Sequence, residues 1–209
     1  MAQNQVCACA NMTLKKLVLA SNNQGKIREF EEIFAKINIE LIPQSEFNVP
    51  EVDEPYATFV ENALHKARHC TKYTGLPALA DDSGLCVNAL NGAPGVFSAR
   101  YAGEPKNDLN NNSKLVEELK QFTDKSAYFY CLLIVVRSFD DPQPIIADGV
   151  VHGQIIDTPR GSNGFGYNPI FHIPALGKTM AEISSETKNQ ISHRALAIKD
   201  LLLKLDNYL

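Results

Sequence analysis

The sequence predicts a mixed α/β fold, a mixed sheet covered by helices, on three observations. Short apolar runs alternate with helical periodicity in the first third of the chain, extended runs follow in succession through the middle, and an amphipathic stretch closes it. Its 209 residues, 44% of them hydrophobic, suffice for a full core, and one bilobed domain over residues 14–209 fits the length better than two. Residues 1–13 are small, polar and aperiodic and are expected to form a disordered extension.

Leu17-Val18-Leu19-Ala20 is a buried-strand run. After the polar Ser21–Gly25 loop, Ile27, Phe30, Ile33, Phe34 and Ile37 recur at helical spacing. A second short strand, Ile39–Ile42, precedes an acidic loop, Pro50–Pro55, that contains Glu51, Asp53 and Glu54. Thr58 with Glu61 is a capping-box signature that starts a helix to about Tyr73, its stripe formed by Phe59, Val60, Ala63, Leu64 and Ala67. Ala78-Leu79-Ala80 and Leu85-Cys86-Val87 flank Asp81-Asp82-Ser83-Gly84, which reads as a tight acidic turn between two extended segments. Gly92–Gly103 is a loop. Leu109, Leu115, Val116, Leu119 and Phe122 mark a helix whose start the Asn110-Asn111-Asn112 run weakens. Tyr128–Val136 is a central strand, Ile145–Ile156 supplies at least one more, and Gly161–Pro169 is a glycine-rich loop. Ile191, Ala195, Ile198, Leu202 and Leu205 predict one long C-terminal helix.

A net charge of −4 gives no basic field for a nucleic acid, although a small phosphorylated ligand needs only a local basic pocket. No apolar run approaches the roughly 20 residues that span a bilayer, and the N-terminus has no secretory layout, so a cytoplasmic protein without membrane partners is expected. Five cysteines without CxxC spacing fit reduced thiols better than disulfides or zinc.

Several residue groups carry candidate chemistry, each beside a plainer alternative. The loop Ser21-Asn22-Asn23-Gln24-Gly25-Lys26 ends where a helix begins, so backbone N–H groups, the helix dipole and an ammonium can converge on an anion. It is not a P-loop, because Lys26 is followed by Ile27, and it also reads as an ordinary capped helix. Asn62, Lys66 and His69 share one flank of the second helix, where Lys66 borders a site or is simply solvated. Adjacent acids on a strand point to opposite faces, and of Asp81 and Asp82 the second is the candidate. Glu54 and Asp82 together suit magnesium, which takes few carboxylates alongside phosphate oxygens and waters. In Gly164-Phe165-Gly166-Tyr167-Asn168 the aromatics can stack on a purine or pack a core. Ser192-His193-Arg194 offers donors to a ligand or a solvated face.

Six blocks in one order make the chain resemble the inosine triphosphate pyrophosphatase family, also called XTP/dITP diphosphatases. They are Leu19-Ala20-Ser21-Asn22 through Gly25-Lys26, Phe59-Val60-Glu61-Asn62-Ala63 with Lys66-Ala67, and Ala80-Asp81-Asp82-Ser83-Gly84-Leu85; then Gly92-Ala93-Pro94-Gly95 with Ser98-Ala99-Arg100-Tyr101, Gly164-Phe165-Gly166-Tyr167, and Ile191-Ser192-His193-Arg194. The likeness runs from Leu17 to Leu205. It implies an elongated mixed sheet between helical lobes, a nucleotide cleft between them, and a homodimer. It also implies Mg2+-dependent hydrolysis of non-standard purine nucleoside triphosphates (ITP, dITP, XTP) to the monophosphate and pyrophosphate. By that resemblance Ser21, Asn22, Lys26 and Lys66 hold phosphates, with Asn23, Gln24, Gly25 and Ser83 adjoining. Glu54 and Asp82 hold magnesium, Asp82 and Lys66 are catalytic, and Asp82 assists the attacking water. Phe165, Gly166, Tyr167, Lys188, His193 and Arg194 receive the base and nearby groups. Asn168 stands where the family usually has Asp, which bears on hydrogen bonding in the base pocket. The alternatives are a Maf-like nucleotide pyrophosphatase and a non-enzymatic nucleotide-binding module.

Overall fold

In the computed structural model the described residues are 15–205 apart from 36 and 38; the extension expected at 1–13, with Cys7 and Cys9, lies outside them. The elements run β1 (Lys15–Leu19), α1 (Gln24–Phe34), β2 (Ile39–Pro43), α2 (Phe59–Thr74), β3 (Ala78–Val87), α3 (Asp108–Leu119), β4 (Ser126–Val136), β5 (Ile145–Ile155), β6 (Phe171–Ile173), β7 (Lys178–Thr179), α4 (Ser185–Ile191) and α5 (His193–Leu205). One seven-stranded sheet has the order β2-β1-β3-β4-β5-β6-β7. β2, β1 and β3 are parallel, and α1 and α2 supply the crossovers that parallel neighbours require. From β3 onward every pairing is antiparallel. The expected mixed sheet is therefore present, with β6 and β7 added by short runs that carry no strong periodicity.

The period-2 alternation of the long strands explains how helices cover them. Val18, Ala80, Leu132 and Ile134 meet Ala63, Ala67 and Cys70 of α2. On the opposite face Leu19, Leu79, Leu133 and Val135 meet Phe30 of α1 and Ala197 and Leu201 of α5. A third cluster gathers Leu85, Phe129 and Ile155 at the other ends of β3–β5, with Leu115 and Leu119 of α3 and with Ile170 and Phe171. Two lobes thus share the same long strands. Between their apolar clusters β3 carries Asp81, Asp82 and Ser83.

Three expectations are corrected. Asp81–Gly84 is not a turn: β3 runs unbroken, with Asp81 opposite Leu133, Asp82 opposite Leu132 and Gly84 opposite Tyr130. The charged residues stay in register because each finds a cation, and glycine is needed at 84 because a Cβ there would lie 2.3 Å from the Gly95 carbonyl oxygen. The single C-terminal helix is two, broken at Ser192, whose backbone is extended and whose hydroxyl accepts from the Ala195 N–H at 3.1 Å. A serine that caps a new helix offers the backbone an alternative to continuing the old one. The asparagine run does not weaken α3: Asn107 caps it, and Asn111 and Asn112 are buried with tertiary partners. The loop after Gly92 also contains a 3-10 turn, Gly95–Arg100.

Candidate active site

β1, β2 and β3 are parallel, so the loops leaving β1 and β2 emerge at one end, where open α/β sheets place their ligand crevices. A cleft of about 820 Å3 opens there between the lobes. Its floor is the polar stretch of β3.

The first wall is the start of α1. Asn23 caps the helix, its side-chain oxygen accepting from the N–H groups of Gly25 at 2.9 Å and Lys26 at 3.1 Å. Ser21 accepts from the Asn23 N–H, while Asn22 donates to Glu51 and accepts from the buried Gln44. The loop is therefore fixed from both sides before any ligand arrives. Lys26 reaches over to the Asp81 carboxylate. Gln24 is exposed and, like Gly25, is not part of the cleft surface. A Cβ at Gly25 would lie 2.7 Å from the Phe165 ring, so this glycine lets the second lobe's loop rest on the helix start.

The second wall is the acidic loop, held by the predicted flank of α2. Asn62 clamps the Tyr56 backbone through its carbonyl and amide, and the His69 ring donates to the Pro50 carbonyl at 2.9 Å. Between them Lys66 donates to Glu54 at 2.6 Å, to the Asp81 carbonyl at 2.7 Å and to Asp82 at 3.3 Å. An ammonium has three donors, and all three are used. Arg100 adds a bond to the Glu54 carbonyl and an ion pair to its carboxylate.

The two carboxylates beside Lys66 are shifted in opposite directions. Burial pushes Glu54 up, but Lys66, with Lys26 and Arg100, outweighs it and holds the carboxyl below its usual value. Burial dominates at Asp82, where Lys66 and Lys26 do not compensate, and Glu54 and Asp81 raise it further. Asp82 Oδ2 is buried with no hydrogen-bond partner. A carboxylate oxygen left so, beside a second acid, fits a cation. Among the described residues no group of three or more His, Cys, Asp and Glu is arranged for a metal; Glu54 and Asp82 are a pair of acids sharing one lysine.

On the α1/α5 side the sequence missed a charge network. Asp81 accepts from Arg194 Nε at 2.8 Å, from Lys26, and from Ser83 at 2.7 Å. Burial alone would raise this acid, yet Arg194 and Lys26 hold it well below the ordinary carboxylate range. Glu29 of α1, one turn beyond Lys26, pairs with both Arg194 and Lys188. Arg194 is thus buried and anchored through Nε, Nη1 and Nη2 rather than freely presented to the cleft. His193 stacks on Phe129 with ring centroids 4.8 Å apart, and its Nδ1 has no partner. Burial, and then the neighbouring Arg194, push it well below the usual imidazole value, so it is neutral.

The remaining wall is the loop between β5 and β6. Phe165, Gly166, Tyr167 and Asn168 line the cleft; Tyr167 is 4% exposed and belongs to the third apolar cluster, as the core-packing alternative had it, and its hydroxyl donates to the Ser98 carbonyl at 2.8 Å. Lys188 Nζ lies 5.4 Å from the centre of the Phe165 ring. Glu29 and Asp108 were not among the sequence candidates; Asp81 was set aside in favour of Asp82, Arg100 stood only in one block of the resemblance, and Asn112 was read only as part of the asparagine run.

Fold and site together define an α/β protein with an interlobe cleft lined by paired acids and lysines and roofed by an aromatic loop. The chain belongs to the Ham1 family, whose model matches residues 17–204. It is 60% identical over 192 residues to a dITP/XTP pyrophosphatase of Neisseria meningitidis serogroup B, covering 91% of this chain and 96% of that one. It is 58% identical over 193 residues to one from Burkholderia pseudomallei, covering 91% and 93%. Among solved structures, a HAM1 protein from Coxiella burnetii superposes with a TM-score of 0.86 at 49% identity over 91% of this chain and 98% of that chain. The Ham1 protein of Staphylococcus aureus gives 0.83 at 45% over 93% and 100%.

Proposed function

We propose that this protein hydrolyses non-standard purine nucleoside triphosphates, ITP, dITP and XTP, to the monophosphate and pyrophosphate, and so cleanses the nucleotide pool. The observation that carries the proposal is the centre at Lys66: one buried ammonium shared by Glu54 and Asp82, an unpartnered Asp82 oxygen, and Lys26 nearby across β3. The names of the relatives support the same activity.

Ser21 and Asn22 receive the phosphates beside the start of α1, whose dipole favours an anion, with Lys26 and Lys66 neutralising charge on the leaving pyrophosphate. Glu54 and Asp82 would hold magnesium, whose chemistry is to draw charge off phosphate oxygens. Asp82 orients the water that attacks the α-phosphorus and takes its proton as the bond to the bridging oxygen breaks. Phe165 and Tyr167 flank the base, and Lys188, His193 and further N–H groups of Arg194 offer donors to the C6 oxygen of hypoxanthine or xanthine. Adenine, with an amino group there, leaves those donors unpaired in a desolvated site. Asn168 lies at the same wall and presents an amide where a carboxylate would offer acceptors only. The working protein is a homodimer of single bilobed domains in the cytoplasm; among the described residues no helix is long and apolar enough to cross a membrane.

The test is pyrophosphate release from ITP, XTP, dITP, GTP and ATP with and without magnesium. Efficient, magnesium-dependent release from ITP and XTP, well above ATP and GTP, is expected. Equal kcat/KM on ATP and ITP would refute this account of the base pocket.

A further inference from the structure

The segment from Ile156 to Ile170, between β5 and β6, has no ladder to fix it, yet it presents Phe165 and Tyr167 to the cleft. Its base is tied by backbone bonds, Ile156 N–H to the Ile170 carbonyl and Arg160 N–H to the Pro169 carbonyl, both at 2.9 Å. Nearer the tip the Asn163 N–H donates to the Ala181 carbonyl at 3.0 Å and the Asn168 carbonyl accepts from the Ala181 N–H at 3.2 Å, but Gly166 is held differently. The Gly166 N–H donates to Asp108 Oδ2 at 2.7 Å, and the Gly166 carbonyl accepts from Asn112 Nδ2 at 3.2 Å. Asp108 and Asn112 are four residues apart on α3, and hence on one face. One helix face therefore grips both polar groups of a single loop residue, which sits at φ +64° directly between the two aromatics.

Asn112 supports a dedicated role by a second feature. It is 7% exposed, and its Oδ1 is buried without a partner. A buried amide with an unsatisfied oxygen is unfavourable unless its donor does something that an apolar residue could not. The donor's partner is Gly166. Asp108, by contrast, is exposed and lines the cleft, so it can be altered without emptying the core.

We infer that Asp108 and Asn112 are positioning residues for purine recognition: a clamp from α3 on the Gly166 peptide that sets where Phe165 and Tyr167 meet the base. The inference rests on the assignment of those aromatics to the base. The clamp acts first on the base side of the cleft: Phe165 also rests on Gly25, but the phosphate loop and the Lys66 centre have hydrogen bonds of their own that hold them.

Two ligands separate the sides in calorimetric titration: IMP, which needs the base site, and inorganic tripolyphosphate with magnesium, which does not. Asp108→Ala is expected to weaken IMP about tenfold, the cost of roughly one charge-assisted hydrogen bond, and to leave tripolyphosphate within about twofold. Asp108→Asn, whose amide oxygen still accepts from Gly166, should hold IMP within about threefold of wild type. Asn112→Asp, which turns the donor into an acceptor facing a carbonyl, should weaken IMP in the same way, with its melting temperature checked alongside. Loss of both ligands alike, or unchanged IMP binding in Asp108→Ala, overturns the clamp. Phe165→Ala distinguishes the two layers. If it loses IMP while Asp108→Ala keeps it, the clamp falls and the base assignment stands; if both variants keep wild-type IMP affinity, both fall.

Discussion

Replacing Asp82 by Asn separates catalysis from folding more cleanly than other changes at the centre. The residue is 5% exposed, so the isosteric amide keeps the packing, and the strand pairing through Leu132 is untouched. What changes is charge. Asp82's contact with Lys66 is its weakest, at 3.3 Å, and Lys66 retains Glu54 and the Asp81 carbonyl. Burial already disfavours the ionised acid, raising its pKa. The sign follows: an acid whose folded pKa is raised contributes stability below its unfolded pKa and loses it as pH rises through the folded value, so near neutrality the ionised form is a net burden. The amide removes that burden and forfeits one long ion contact worth about 1 kcal/mol. Stability should therefore stay within about 1 kcal/mol of wild type, or a melting shift of roughly 2–4 °C. Turnover should fall about 10²- to 10⁴-fold, the range that a positioned general base supplies. Pyrophosphate release from ITP at saturating magnesium, with a thermal melt on the same sample, measures both. A folded Asp82→Asn protein within tenfold of wild-type turnover would refute the assignment.

Two further outcomes test the charges around this centre. Lys66→Met strips Glu54 and Asp82 of their shared cation and should destabilise the protein by about 3 kcal/mol, because breaking a buried pair leaves uncompensated charge; millimolar magnesium should recover part of that in a thermal melt, and no recovery would argue against a cation at these carboxylates. His193, kept neutral by burial and Arg194, takes up a proton below about pH 6.5 only when unfolded. The unfolded state then binds more protons, so stability should fall on acidification by up to about 1.4 kcal/mol per pH unit below that value, and His193→Gln should flatten the slope in denaturant titrations; an unchanged slope would place the titrating group elsewhere.

The sequence by itself determined the elements with strong periodicity and the local signals of the site. The apolar runs of Leu17–Ala20 and Tyr128–Val136, the stripes of α1 and α2, and the cap at Thr58 depend on neighbours a few residues away, so local pattern suffices to read them. The flank of Asn62, Lys66 and His69 was likewise fixed by helix geometry, and the structure uses all three to hold the acidic loop. Tertiary structure decided what such rules misjudged. Asp81–Gly84 has turn composition, but pairing with β4 along its whole length, and cations arriving from α1, α2 and α5, make an acidic strand stable. Asn111 and Asn112 are poor helix formers alone and become anchors because carbonyls of distant loops lie within reach. Glu29, Asp81 and Arg194 join across more than a hundred residues of chain, and Asp108 meets Gly166 over 58. Whether a charged side chain is solvated or buried in a network depends on which partners the fold delivers to it, and local composition carries no record of partners so far away.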